Sequence, residues 1–193
     1  YAFIVHPRNT PDVYRKYPFL RFLPERVLLF LLRHFWPVVL SEVTGLISRK
    51  IGKPIKGWII TIPLTAHEMI ENRTLAVRHI IQASRLASKM GARVIGLGAL
   101  TSSLTRGGQD IVQKVNAGIT TGHAYTSHTV VSNLYAVAEK LGVKKEKCTV
   151  AIVGASGSIG STTAKLLARA GYPRLILIDV ERKVHFFKIL ERE

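Results

Sequence analysis

A single cysteine, Cys148, stands among the 193 residues, so the chain can form no internal disulfide. That suits a reducing compartment, and no signal peptide is visible, so the expected location is the cytoplasm. Acidic residues are scarce: 12 Asp and Glu face 28 Lys and Arg, a net charge of +16. A field of that sign attracts polyanions such as nucleic acid, anionic lipid or an acidic carrier protein. Nucleic acid is set aside as a partner, because the cations are spread along the chain and neither an RNA-binding signature nor metal-finger spacing occurs. There is no internal repeat and no low-complexity tract. No His/Cys/Asp/Glu spacing suits a metal: His123 and His128 are five apart rather than four, with no carboxylate nearby. The longest uncharged apolar run falls short of the ~20 residues a spanning helix needs.

What is present is enough apolar side chain, 47%, to build a core and make wholesale disorder implausible. The greasiest stretch is Pro18–Leu40, interrupted by Arg21, Glu25, Arg26 and Arg33. An amphipathic helix is expected near residues 24–36, with Pro24 in its first turn. Glu25, Arg26 and Arg33 share one face, but Leu29 and Trp36 intrude on it, so nearly the whole circumference is apolar. Three roles stay open: a buried core helix, an anchor on an anionic membrane surface that would make the protein peripheral to the inner face of the membrane, or part of an acyl-chain site.

Along the rest of the chain, strands are expected at Ala2–Val5, Val43–Ile47, Ile55–Ile62 and Val94–Leu97. Thr10 is the expected N-cap of a short helix. A long helix is expected from Ala66 to Met90, opened by a capping box of Thr65 and Glu68 and closed by Gly91. Its apolar residues, among them Met69, Ala76, Ile80 and Ala87, fall on one face. Gly98–Gly108 reads as a Gly/Ser/Thr loop in which Arg106 is placed to meet an anion, or as an ordinary connector. A short element is expected at Ile111–Val115, and a helix at Tyr125–Leu141.

The last stretch carries the strongest signal. An apolar strand, Thr149–Val153, runs into Gly154-Ala155-Ser156-Gly157-Ser158-Ile159-Gly160, then a helix Ser158–Ala170, then an apolar strand Leu175–Asp179. The spacing is GxxGxxG. Gly154 permits the tight turn out of the strand, Gly157 lets backbone approach a pyrophosphate, and Gly160 lets the helix pack closely on the sheet. The helix N-terminus then offers N–H groups to phosphate. Asp179 lies where an acid bonds an adenosine ribose, which favours NAD; Arg182 and Lys183 follow where a 2′-phosphate would sit, which favours NADP. The alternative for Asp179 is a strand-end residue capping the next turn.

These features define the expected fold class: α/β, with a leading, substrate-side α/β domain (residues 1–143) followed by the first half of a Rossmann NAD(P)-binding domain (144–193). The chain opens on Tyr1 without a methionine and closes just after the second strand of that half-domain, so it reads as a fragment.

The sequence resembles the long-chain acyl-ACP reductases and their bacterial relatives, the predicted amino-acid or shikimate-type dehydrogenases. The likeness rests on Phe3-Ile-Val-His6-Pro7, Gly57-Trp-Ile-Ile-Thr-Ile-Pro63, Gly96-Leu-Gly98-Ala-Leu-Thr101-Ser102, Thr120-Thr121-Gly122 and the glycine loop. It implies an NAD(P)-dependent oxidoreductase that reduces a fatty acyl thioester, on acyl carrier protein or coenzyme A, to the aldehyde. It also implies that Gly154 to Gly160 hold the cofactor and that Thr101, Ser102, Thr120, Thr121, Gly122 and His123 face the substrate cleft. After Thr-Thr-Gly the family continues with Asn, where this chain has His123, a candidate general acid or simply a polar helix start. The family's nucleophilic cysteine lies well downstream of the glycine loop, beyond this chain; Cys148, at the far end of the preceding strand, is not a substitute. Two other classes stay open: a dehydrogenase of a small polar substrate, and a non-catalytic nucleotide- or membrane-binding protein. The short-chain dehydrogenase pattern is not met, because no Tyr-x-x-x-Lys follows the loop.

Overall fold

The computed structural model describes residues 1–190. They form an α/β structure divided into two units, Tyr1–Thr121 and the chain from Gly122 onward.

In the first unit, β1 (Ala2–Val5) leads into α1 (Thr10–Lys16), a 3-10 turn over Pro18–Phe22, and α2 (Glu25–His34). The N-cap of α1 is Asn9 rather than Thr10; the Asn9 side chain accepts the Asp12 N–H, and Pro11 falls in the first turn. Pro24 is likewise the residue before α2, not within it. Strands β2 (Val38–Val43) and β3 (Gly57–Thr61) follow, then α3 (Ala66–Glu71), α4 (Arg73–Lys89), β4 (Val94–Leu97), α5 (Leu100–Leu104) and β5 (Gly118–Thr120). The sheet order is β2-β3-β1-β4-β5. All pairs are parallel except β2 with β3.

Three elements depart from the sequence pattern. The strand expected at Val43–Ile47 lies earlier, because Val38–Val43 continues out of the apolar segment to pair with β3; only an isolated bridge, Ile47 with Pro54, remains beyond it. The long helix breaks at Asn72, whose side chain accepts the Leu75 N–H and caps a second helix; Asn competes with the helical backbone in this way, and hydrophobic periodicity does not register it. Within Gly98–Gly108 the backbone forms α5, and Arg106, Gly107 and Gly108 then turn in left-handed conformation. Arg106 is taken up by Asp110, which also accepts Arg73 at 2.9 Å.

The core follows from the two periodicities. Ala2 and Ile4 alternate inward on β1 beside Ile60 of β3 and Ile95 of β4, while Phe3 points out. Against them α4 lays Ala76, Ile80, Ala83 and Ala87, all fully buried; small side chains let helix and sheet approach closely. The Thr65–Glu68 capping box forms as expected. Glu68 is only 3% exposed, and it also receives Arg33 Nε of α2 at 2.8 Å. His79 of α4 donates its Nε2–H to the Arg33 carbonyl at 3.1 Å. The end of α2 is therefore bonded to both α3 and α4.

The second unit has α6 (His123–Lys140), β6 (Thr149–Val153), α7 (Ser158–Arg169) and β7 (Arg174–Ile178). A 3-10 turn over Glu181–Phe186 and a short α8 (Phe187–Leu190) follow. Strands β6 and β7 pair in parallel with Val153 opposite Ile178. Between them α7 buries Ala164 and Leu167, and α6 packs along α7.

Burial lowers the pKa of His79, outweighing its bond to the Arg33 carbonyl. Its ordinary value is 6.5, so below that pH the unfolded chain takes up a proton that the folded chain resists, and stability falls as the solution is acidified. Urea unfolding at pH 7.5 and 5.5 should show this loss, and His79→Gln should reduce it; equal pH dependence in both proteins would refute the assignment. Thr65→Ala should lower stability by about 1 kcal/mol in the same assay.

Candidate functional site

The glycine loop sits at the carboxyl end of β6, the position at which open α/β sheets receive ligands. The Gly154 and Ala155 amides both bond the Ile178 carbonyl, at 2.8 and 3.1 Å, so the loop begins pinned to the neighbouring strand. Gly154 has φ +80, a left-handed conformation that disfavours any side chain. Gly160 is fixed by space instead: a Cβ there would collide with the Gly154 carbonyl and the Ala155 Cα. The Gly157 amide closes a turn onto Gly154 O at 3.0 Å, and the Ser161 amide starts the helix on Gly157 O at 2.8 Å. The amides of Ser158, Ile159 and Gly160 lie in the first turn of α7, where no intrahelical carbonyl precedes them. With the positive end of the helix dipole behind them they can bind an oxyanion.

Asp179, just past β7, bears directly on this loop. Its Oδ2 accepts the Ser156 amide at 2.9 Å and the Ser156 hydroxyl at 2.6 Å, while Oδ1 accepts the Val180 amide at 2.8 Å. The capping alternative for Asp179 is thus partly realised, but the residue also ties the loop to the adjacent strand. The Ser156 hydroxyl and amide, followed by the Val180 amide, lower its pKa to about 2. Arg182 is exposed in the 3-10 turn that follows.

His123 joins the same unit. It is the first residue of α6, and its Nδ1 shares a 2.7 Å hydrogen bond with Ser158 Oγ. Ser127, one turn along, donates to the carbonyls of His123 and Ile159, at 2.9 and 3.3 Å. The Ser127 bridge was not foreseen from sequence, although the small side chain one turn after His123 was the available signal. His128 Nε2 lies 3.5 Å from the Ser132 hydroxyl, and no cluster able to hold a metal occurs among the described residues. Cys148 precedes β6 at the end opposite the loop and donates to the Lys144 carbonyl.

The other residues expected to face substrate belong to the first unit. Thr101 and Ser102 are buried in α5 just beyond β4, with Thr101 Oγ1 donating to the Gly98 carbonyl at 2.7 Å. Thr120 closes the adjacent strand β5, and Thr121 follows it. Both pairs therefore lie at the carboxyl edge of the parallel sheet. On that edge, beyond β1 and β3, opens a cavity of about 500 Å³. Its walls include Val13, Leu20, Leu28, Leu32 and Phe35, with His6 and Lys16 among the few polar groups. Its volume is typical of small-molecule sites, which span ~300–1,000 Å³. The inner face of the apolar segment lines this cavity; no described helix is long and apolar enough to cross a membrane.

No family model matches the sequence. The chain is 29% identical over 126 residues to the aminotransferase PigE of a Serratia species, covering 65% of this chain and 15% of that protein. It is 29% identical over 157 residues to the long-chain acyl-[acyl-carrier-protein] reductase of Synechococcus elongatus, covering 74% of this chain and 45% of that protein. The chain thus spans less than half the length of these curated relatives. The likenesses support a distant relationship to the acyl-ACP reductases.

Two outcomes test this geometry. Because the pKa of Asp179 is depressed below 3.8, its hold on the loop is complete above about pH 4 and is lost as pH falls through about 2. A carboxyl-carbon NMR titration should show that midpoint, with the Ser156 amide moving in step; a midpoint near 3.8 would mean the bonds are not made. Gly160→Ala should cost about 1–3 kcal/mol through overpacking, measured by urea unfolding.

Proposed function

We propose that the protein is a reductase of fatty acyl thioesters that uses NADPH or NADH to form the aldehyde, with the acyl group presented on an acidic acyl carrier protein or on coenzyme A. The observation that carries this reading is the glycine loop between two parallel strands, locked by Asp179 in a conformation that leaves first-turn amides for a phosphate. In this reading residues 144 onward are the first half of a Rossmann domain. The sheet of the first unit, with Thr101, Ser102, Thr120 and Thr121 on its carboxyl edge, serves the substrate.

The loop fits a dinucleotide. Nothing would stand within 4 Å of a Cβ at Gly154, so the turn leaves open space where a pyrophosphate approaches. The amides of Ser158, Ile159 and Gly160 would hold its oxygens, and the carboxylate of Asp179 or the guanidinium of Arg182 would meet the ribose end. When bound, the nicotinamide supplies the hydride for carbonyl reduction. Ser158 and His123, hydrogen-bonded to each other, can orient a polar group beside the loop and hold a proton there.

The apolar cavity supports a fatty rather than a small polar substrate. A small 2-oxo or hydroxy acid would find few partners among Leu28, Leu32 and Val13, whereas an alkyl chain gains about 0.8 kcal/mol for each buried methylene. The net charge of +16 suits an acidic carrier.

Calorimetry with NADPH and NADH should detect binding by the wild type, and Gly160→Ala should abolish it; absence of binding to either cofactor would sink the cofactor reading. If Arg182 meets a 2′-phosphate, Arg182→Ala should weaken NADPH roughly tenfold and leave NADH unchanged. Aldehyde formation from acyl-ACP or acyl-CoA should favour shorter chains in Leu32→Trp, which fills the cavity. Chain-length preference unmoved by that substitution would remove the cavity from the substrate site.

A further inference from the structure

The inner face of α2 walls the cavity, and its outer face is also apolar. Val27, Phe30 and Leu31 recur at helical spacing on that outer arc and are exposed, Phe30 by 63%. The stripe continues through Phe35, one turn past Leu31. Both Leu31 and Phe35 line the cavity, and exposed Phe19 of the preceding 3-10 turn lines it as well. An exposed apolar stripe therefore runs directly into the mouth of an apolar cavity. Phe22, 92% exposed, and Trp36 stand at the two ends of the same segment.

Charge indicates what this surface would meet. Arg26 flanks the stripe on α2, and Lys16 stands at the cavity rim. From Arg8 to Trp36 the cations are Arg8, Arg15, Lys16, Arg21, Arg26 and Arg33; Asp12 holds Arg8 and Arg15 and Glu68 holds Arg33, which sets Lys16, Arg21 and Arg26 against Glu25 at this surface. Exposed Phe and Trp beside Arg and Lys are the composition of helices that lie in the plane of a bilayer, where rings sink to the headgroup boundary and cations meet anionic lipid. A carrier protein would answer the charge but would leave five exposed aromatic rings without an apolar partner.

We propose that the segment Pro18–Trp36 docks on an anionic lipid bilayer, so that the cavity mouth opens towards the acyl-chain region. The lipid contact stands apart from catalysis. Only its use, loading or releasing a fatty chain through the membrane face, rests on the acyl-thioester reading above.

The test is co-sedimentation of the protein with vesicles of phosphatidylcholine containing phosphatidylglycerol, paired with tryptophan emission. The expected result is binding to the anionic vesicles with a blue shift from Trp36, weakened by high salt and absent with pure phosphatidylcholine. Phe30→Glu, an exposed change that leaves the cavity wall intact, should weaken binding at least about tenfold. Arg26→Gln should weaken it about fivefold. Circular dichroism checks that both variants fold.

No binding to anionic vesicles, or binding untouched by Phe30→Glu, would overturn the proposal. So would a fall in oligomeric state caused by Phe30→Glu, which would make the stripe a contact between copies of the chain. Loss of carrier-protein affinity in that variant without loss of vesicle binding would assign the stripe to the carrier instead. Vesicle binding without aldehyde formation would leave the docking surface standing and remove the reductase reading; aldehyde formation without vesicle binding would do the reverse.

Discussion

The carboxylate of Glu68 has almost no contact with water, and a buried charge is tolerated only when it is paired and hydrogen-bonded. Thr65 supplies two donors and Arg33 a third. Because Arg33 belongs to α2, satisfying Glu68 also fixes where α2 lies. Hydrophobic contact alone is non-directional, and a helix apolar on nearly every side could settle in several rotations. The Arg33 pair and the His79 bond to its carbonyl select one, and the wall of the cavity follows from that choice. Removing Arg33 would leave the Glu68 carboxylate buried with only the Thr65 donors, whereas Arg33, itself 48% exposed, would turn to water if Glu68 were lost.

The second unit applies related logic at its surface. Asp179 is accessible to solvent, so its value lies in direction rather than in burial. It occupies the Ser156 amide and hydroxyl, the Gly157 amide turns back onto the Gly154 carbonyl, and the amides of Ser158, Ile159 and Gly160 stand at the head of α7. The loop is thereby ordered before anything binds, which reduces the entropy lost on association. The same bonds mean that ribose recognition by Asp179 would share its oxygens with Ser156.

Much of this was readable in the residues. The glycine loop, both of its flanking strands and the helix between them lie within a residue or two of where spacing put them, because each is specified locally by turn chemistry and an apolar run. The Thr65–Glu68 box is local too. What escaped was tertiary. Val38–Val43 looked like the tail of a helix-bearing apolar segment, and pairing with β3 makes it a strand. Asn72 interrupts a face whose period runs on regardless. Arg106 looked available to an anion, but Asp110, four residues along, occupies it. The cavity needed α1, α2 and two strand ends at once, so no window of sequence could display it. The Asp179–Ser156 and His123–Ser158 bonds join residues that the sequence had already singled out separately.

The two edges of the five-stranded sheet carry a further consequence. One edge is β5, only three residues long. The other is β2, which pairs antiparallel and slips register between Val39 and Ser41. A bulge bends and twists a strand, and a three-residue strand offers few free backbone groups, so neither edge is a good template for another chain. Edge-to-edge pairing of this sheet into aggregates is thereby discouraged, although its inner strands are rich in Val and Ile. Under crowded conditions self-association of the first unit would be channelled to side-chain surfaces, where charge and salt govern it, and away from the backbone ladder, where they do not.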